Sequence, residues 1–157
     1  MFKTTFMSLA ILGAASSQAQ QGTFPWKAGD SPPPVAGVRL GVTRAALDSL
    51  LGRPDKIQQM GQDGLGLTYT KRGISVVYTP LDGAPIVYLL RRDAGDVGGV
   101  RLGDTKDQVL ARWGKPSTGE GMNALYIAGK WVVVVTLDSV TGTRVVQLGL
   151  GRAADAE

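Results

Sequence analysis

The chain predicts an α+β fold of two tandem repeats, each a short helix packed on one face of a three- to four-stranded antiparallel sheet. Three observations lead there. The segment Gly37-Val38-Arg39-Leu40-Gly41-Val42-Thr43 recurs as Gly99-Val100-Arg101-Leu102-Gly103-Asp104-Thr105, an offset of 62 residues, and eight of the eighteen positions from Gly37 to Pro54 are identical in the two copies. Self-similarity at a fixed period is the signature of repeated structural units. Each copy carries the start and stop signals of a helix about two turns long. Each then continues into short runs rich in β-branched residues, separated by turns that contain Gly and Asp.

The helices come first in each unit. Thr43 and Thr105 are N-cap candidates, because a threonine oxygen accepts from the free backbone N–H groups of the first turn. Gln108, three residues after Thr105, completes a capping box; Ala46 stands at the corresponding place after Thr43. Gly52 and Gly114 supply the left-handed residue that ends a helix, and Pro54 and Pro116 prevent its resumption. Leu47, Leu50 and Leu51 share one helix face, as do Val109 and Trp113. Helices this short are unstable alone and must dock. The strands expected in the first unit are 56–61, 65–70, 74–79 and 84–91. Those of the second are 117–120, 124–128, 130–137 and 143–150. Connections this short make sequential neighbours antiparallel.

The ends of the chain read differently. Met1-Phe2-Lys3, an apolar run from Phe6 to Ala15 and a small-residue site at Ala19 form the three-part pattern of a secretory signal peptide. The run is shorter than the about 20 residues of a membrane span. The organisation expected is therefore a signal peptide at 1–19, an extended Pro-rich tether at 20–36, repeats at 37–95 and 96–152, and a frayed tail at 153–157. Trp26 stands out in the tether, either loosely docked on the domain, simply exposed, or an anchor for a partner.

The pattern G-x-T-x-x-x-(V/L)-x-x-x-(W/L)-G-x-P, followed by a tyrosine and a β-branched strand, is carried by Gly41, Thr43, Leu47, Leu51, Gly52, Pro54 and Tyr69. It is carried again by Gly103, Thr105, Val109, Trp113, Gly114, Pro116 and Tyr126. It resembles the helix-on-sheet unit of the BamE (SmpA/OmlA) envelope proteins and, in tandem, the β-lactamase inhibitor proteins. The resemblance implies a non-enzymatic protein that presents a sheet surface to another protein. Unlike the BamE-like lipoproteins, this chain has no cysteine for a lipid anchor, and unlike the inhibitors it has no disulfides.

Composition narrows the chemistry. There is no histidine and no cysteine, so Ser-His and Cys-His catalytic pairs are excluded, along with the commonest zinc ligands. The acidic residues Asp93, Asp96, Asp104 and Asp107 lack calcium-loop spacing, and the glycine-rich turns match no phosphate-binding loop. No metal, cofactor or catalytic residue is expected. A formal net charge of +4, spread without a basic run, gives no nucleic-acid footprint.

The expected function is an exported protein–protein interaction module, with inhibition of a secreted enzyme as the alternative and an Asp/Lys hydrolase as the third reading. The candidate partner-binding residues are Trp26, Val77, Val87, Leu89, Val132 and Val134. The last five are read as a second, apolar sheet face pointing away from the helices, either covered by another element or a twin chain, or exposed for recognition. The oligomeric state is left open.

Overall fold

The computed structural model describes residues 22–80, 83–119 and 121–152. The expected signal peptide and C-terminal tail lie outside the described residues. The elements run α1 (Arg44–Leu51), β1 (Lys56–Met60), β2 (Gly64–Tyr69), β3 (Ile74–Thr79), β4 (Gly83–Leu89), α2 (Lys106–Trp113), β5 (Asn123–Ala128), β6 (Trp131–Leu137) and β7 (Val145–Arg152), with single 3₁₀ turns at Thr70–Arg72 and Arg92–Ala94.

The helix ends follow from local chemistry. Thr43 Oγ1 accepts from Ala46 N at 3.2 Å. Thr105 and Gln108 close a reciprocal box, with Gln108 N donating to Thr105 Oγ1 at 3.2 Å and Thr105 N to Gln108 Oε1 at 2.8 Å. Gly52 (φ 78°) and Gly114 (φ 73°) end the helices in a region that L side chains avoid.

The expected pair of separate helix-on-sheet units is corrected. All seven strands form one antiparallel sheet in the order β1-β2-β3-β4-β7-β6-β5. The joint is the β4–β7 ladder, in which Val87 faces Leu150 and Leu89 faces Leu148. A small sheet of three or four strands would leave long unpaired edges beside a small core; joining β4 to β7 removes two of those edges. The strand expected at 117–120 is reduced to a single bridge between Thr118 and Leu125. Pro116 precedes it, and Gly119 turns the chain with φ 94°.

The helices share one core. Rows of side chains cross the whole sheet on one face. One runs Leu67, Val76, Val87, Leu150, Val133, Tyr126 and a second runs Tyr69, Ile74, Leu89, Leu148, Val135, Ala124. Leu47 of α1 and Val109 and Trp113 of α2 are buried in the same cluster.

The segment read as a tether is extended but docked. Phe24 stacks on Tyr126 (5.2 Å between ring centroids) and meets Trp113 (5.4 Å) and Trp26 (5.3 Å) edge-on. Further along, Trp131 Nε1 donates to Asp30 O at 2.8 Å. Residues 22–35 thus form a strap over α2, β5 and β6, and half-buried Trp26 packs against the core.

Candidate functional site: the open face of the sheet

The face away from the helices has its own rows. One runs Gly66, Val77, Ile86, Gly151, Val132, Ile127; the next runs Thr68, Ser75, Tyr88, Gly149, Val134, Leu125. Val77, Ile86, Tyr88, Leu125, Val132 and Val134 are half-buried, and Ile127 is 45% exposed. The centre of this face is shaped by β7, which places Gly149 and Gly151 there and Gln147 further along, beside Thr136. A Cβ on Gly149 would meet the Tyr88 ring, and one on Gly151 would lie 3.1 Å from Ile86 Cγ1. Tyr88 and Ile86 therefore lean over β7 from the neighbouring strand. The result is a shallow apolar surface with Thr68, Ser75 and Thr136 towards its margins.

The structure divides the sequence-derived candidates. Val77, Val132 and Val134 lie on this face. Val87 and Leu89 do not: they are 0% and 2% exposed in the helix-side core, and Ile86 and Tyr88 take the open-face positions. Both alternating sets of β4 are apolar, so hydrophobicity alone leaves its phase undetermined. The pairing of Val76 with Val87 sets it. Trp26 is on the strap and not part of this surface. Gly41, Thr43, Gly52, Pro54, Gly103, Thr105, Gly114 and Pro116 belong to the helix starts and stops and the turns beside them.

The carboxylates near the turns have structural partners. Asp55 Oδ2 accepts from Thr70 N at 2.6 Å. Asp104 accepts from Arg101 N at 2.9 Å and from Arg92 Nη1 at 2.7 Å. Burial alone would raise the Asp104 pKa, but these donors outweigh it and hold it below the usual range. Among the described residues no group of three or more His, Cys, Asp or Glu could hold a metal ion.

Asp138 organises the β6–β7 loop. Its carboxylate accepts from Thr141 N (2.6 Å), Arg144 N (3.0 Å), the Thr141 hydroxyl (2.8 Å) and Thr143 N (3.1 Å). These four donors, Thr141 N–H first, hold its pKa far below the ordinary 3.8. A depressed folded-state pKa contributes stability that is fully present above the unfolded value and is lost as pH falls through the folded one. Asp138→Asn should therefore destabilise the loop at neutral pH and flatten the acid limb below about pH 4. Urea midpoints measured from pH 6 to 2 test this, and an unchanged acid limb in the variant would refute it.

Cavities lie elsewhere. An apolar one of about 250 Å³ sits between α2 and β5–β6, lined by Val109, Leu110, Tyr126 and Leu137. A polar groove holds Arg92, Arg101 and Arg112, where Asp104 already engages Arg92. A third opens beside the β2–β3 turn.

No family model matches the sequence, and no curated protein matches it. Solved structures do resemble the fold. A cysteine-rich secretory protein from Staphylococcus aureus superposes with a TM-score of 0.60 at 12% identity, over 85% of this chain and 50% of that one. An extracellular protein containing an SCP domain, from Bacillus anthracis, gives 0.52 at 11% identity, over 78% of this chain and 47% of that one. A DUF4309 family protein from Bacillus subtilis gives 0.53 at 12% identity, over 78% of this chain and 88% of that one. The chain spans about half the length of the first two. At such identities the likeness concerns the fold. It also corrects the resemblance to BamE and the β-lactamase inhibitor proteins. The similar structures are of these other kinds, and the single seven-stranded sheet departs from a tandem of helix-on-sheet units.

Proposed function

We propose that the chain is an exported, non-catalytic protein–protein interaction module that works through the open face of its sheet. The observation that carries this reading is the continuous apolar surface formed by Val77, Ile86, Tyr88, Val132, Val134, Leu125 and Ile127 on the face that neither helix core occupies. Contiguous apolar surface on a soluble domain marks interaction sites, and an antiparallel sheet normally turns a polar face to water. Export is supported by the signal-peptide pattern at 1–19. Two structurally similar proteins are described as secretory or extracellular, which agrees. The engagement of Asp55, Asp104 and Asp138 by backbone and arginine donors supports a structural role for the carboxylates over an Asp/Lys hydrolase. Enzyme inhibition rested on the corrected resemblance and has no separate support.

The test is photo-crosslinking from single positions in the producing cell's exported fraction. Probes at Tyr88, Val134 and Ile127 should capture the same partner protein, and a probe at Val140, 91% exposed on the β6–β7 loop, should not. Equal capture from Val140, or none from the sheet face, would rule the surface out.

A further inference from the structure

The sheet has two ends, and they are finished differently. At the β5 end the chain folds back over its own edge. Leu125 N donates to Thr118 O and Ser117 N to Leu125 O, both at 2.9 Å, and Ile127 N donates to Ser117 Oγ at 2.9 Å. At the other end β1 is the last strand, and no described residue pairs with its outer side. All five of its residues are exposed, among them Ile57 (56%) and Met60 (47%). An unpaired strand presents a row of free N–H and C=O groups that template another strand, and proteins blunt such edges with proline, bulges or charges. Within its five residues β1 has no proline, pairs with β2 in an unbroken register and carries a single charge, Lys56.

The sequence of this edge says what fits it. Two antiparallel copies of β1 related by a twofold axis at Gln58 overlap over the whole strand. Lys56 then faces Met60 of the second copy, Ile57 faces its Gln59, and Gln58 faces itself. No like charges meet. The two Lys56 residues stand four positions apart along the strand, about 14 Å, beyond the roughly 8 Å screening length of physiological salt. Continued past the strand, the same register sets Arg53 of one copy towards Asp63 of the other. Both residues are exposed, and neither makes an ion pair among the described residues of its own chain. The faces stay in phase as well. Lys56, Gln58 and Met60 lie opposite Thr68, Gly66 and Gly64 on the open face, and in this register they meet the same three residues of the second copy.

We propose that β1 is a dimerisation edge, at which two copies of this chain pair β1 with β1 antiparallel about Gln58 and join their sheets into one. Self-complementary contacts about a twofold axis are the commonest kind in homo-oligomers. The interface is short, which makes the dimer a weak one that forms as concentration rises. The edge is distinct from the open face, so the dimer does not depend on the proposed function of that face. It would bring two open faces into one continuous surface.

The chain has no cysteine, so an introduced one reports the register. Residues facing each other across an antiparallel pair have Cα atoms about 4.5–5.5 Å apart, within reach of a disulfide. Under mild oxidation at roughly 0.1–1 mM protein, Gln58→Cys should give a disulfide-linked dimer. Ile57→Cys alone and Gln59→Cys alone should not, and the two mixed should. Sedimentation equilibrium of the intact chain should show monomer–dimer association. Met60→Lys, which sets a lysine against Lys56 of the second copy, should weaken it roughly fivefold, and Met60→Glu should strengthen it by a similar factor. Both variants lose the same methionine, so the contrast between them reads the charge and not the folding. A chain that stays monomeric, with no dimer from Gln58→Cys, would overturn the proposal. Equal linkage from Ile57→Cys alone, or association that neither Met60 variant changes, would place the contact elsewhere and overturn it too. Photo-crosslinking of a different protein from position 58, with the chain itself monomeric, would assign the edge to a foreign strand instead.

Discussion

Replacing Trp113 by alanine is expected to cost about 3–5 kcal/mol, the range for removing a large aromatic side chain from a core. Trp113 is 2% exposed and sits where three parts of the chain converge. It ends α2, its ring meets Phe24 of the strap at 5.4 Å and Tyr126 of β5 at 5.0 Å, and its Nε1 donates to Gly98 O at 3.1 Å. The substitution leaves a cavity and strands a carbonyl acceptor, two effects that add. A domain of this size has about 5–15 kcal/mol in all, so the variant should sit at the edge of folding at 25 °C. Phe24→Ala should cost less, because Phe24 is only half-buried, but its effect should be coupled to that of Trp113. Residues in direct contact show coupling of about 0.5–3 kcal/mol in a double-mutant cycle. Urea denaturation of the two single variants and the double variant measures it. Additive losses would mean that the strap is not part of the cooperative unit.

That coupling explains why the strap was hidden in the sequence. Pro32, Pro33 and Pro34 announce an extended segment, yet nothing local tells whether an extended segment floats or docks. The contacts that decide it join Phe24 to residues about ninety and one hundred positions away. The helix boundaries are the opposite case. Thr105 and Gln108 stand three residues apart and satisfy each other, so the cap is complete within one turn and can be read from four letters. The strands of each half were legible for the same reason, being joined by short turns. Their merger into one sheet was not, because β4 and β7 are separated by α2, β5 and β6, and no turn signal marks their pairing. Tyr69 and Tyr126 occupy matching places in the sequence pattern. Only the structure shows that one hydroxyl is satisfied and the other is not.

Along β4, the cost of truncation to alanine should alternate, with Leu89→Ala losing about 2–5 kcal/mol and Tyr88→Ala markedly less despite its larger side chain. Leu89 is 2% exposed between Ile74 and Leu148 on the helix-side face, so its truncation leaves a closed cavity in the core. Tyr88 lies on the other face over Gly149, which has no side chain to lose contact with. Its removal opens a trough towards solvent instead of a closed cavity. The same pair separates stability from recognition. Partner capture by the Tyr88→Ala protein should fall while the fold persists, whereas Leu89→Ala should lower capture only in proportion to the unfolded fraction. Thermal unfolding and crosslinking yield, measured on the same two variants, test both halves of the claim. Equal destabilisation at 88 and 89 would show that both faces of β4 are packed, and the open face would then be interior and unable to serve as a recognition surface.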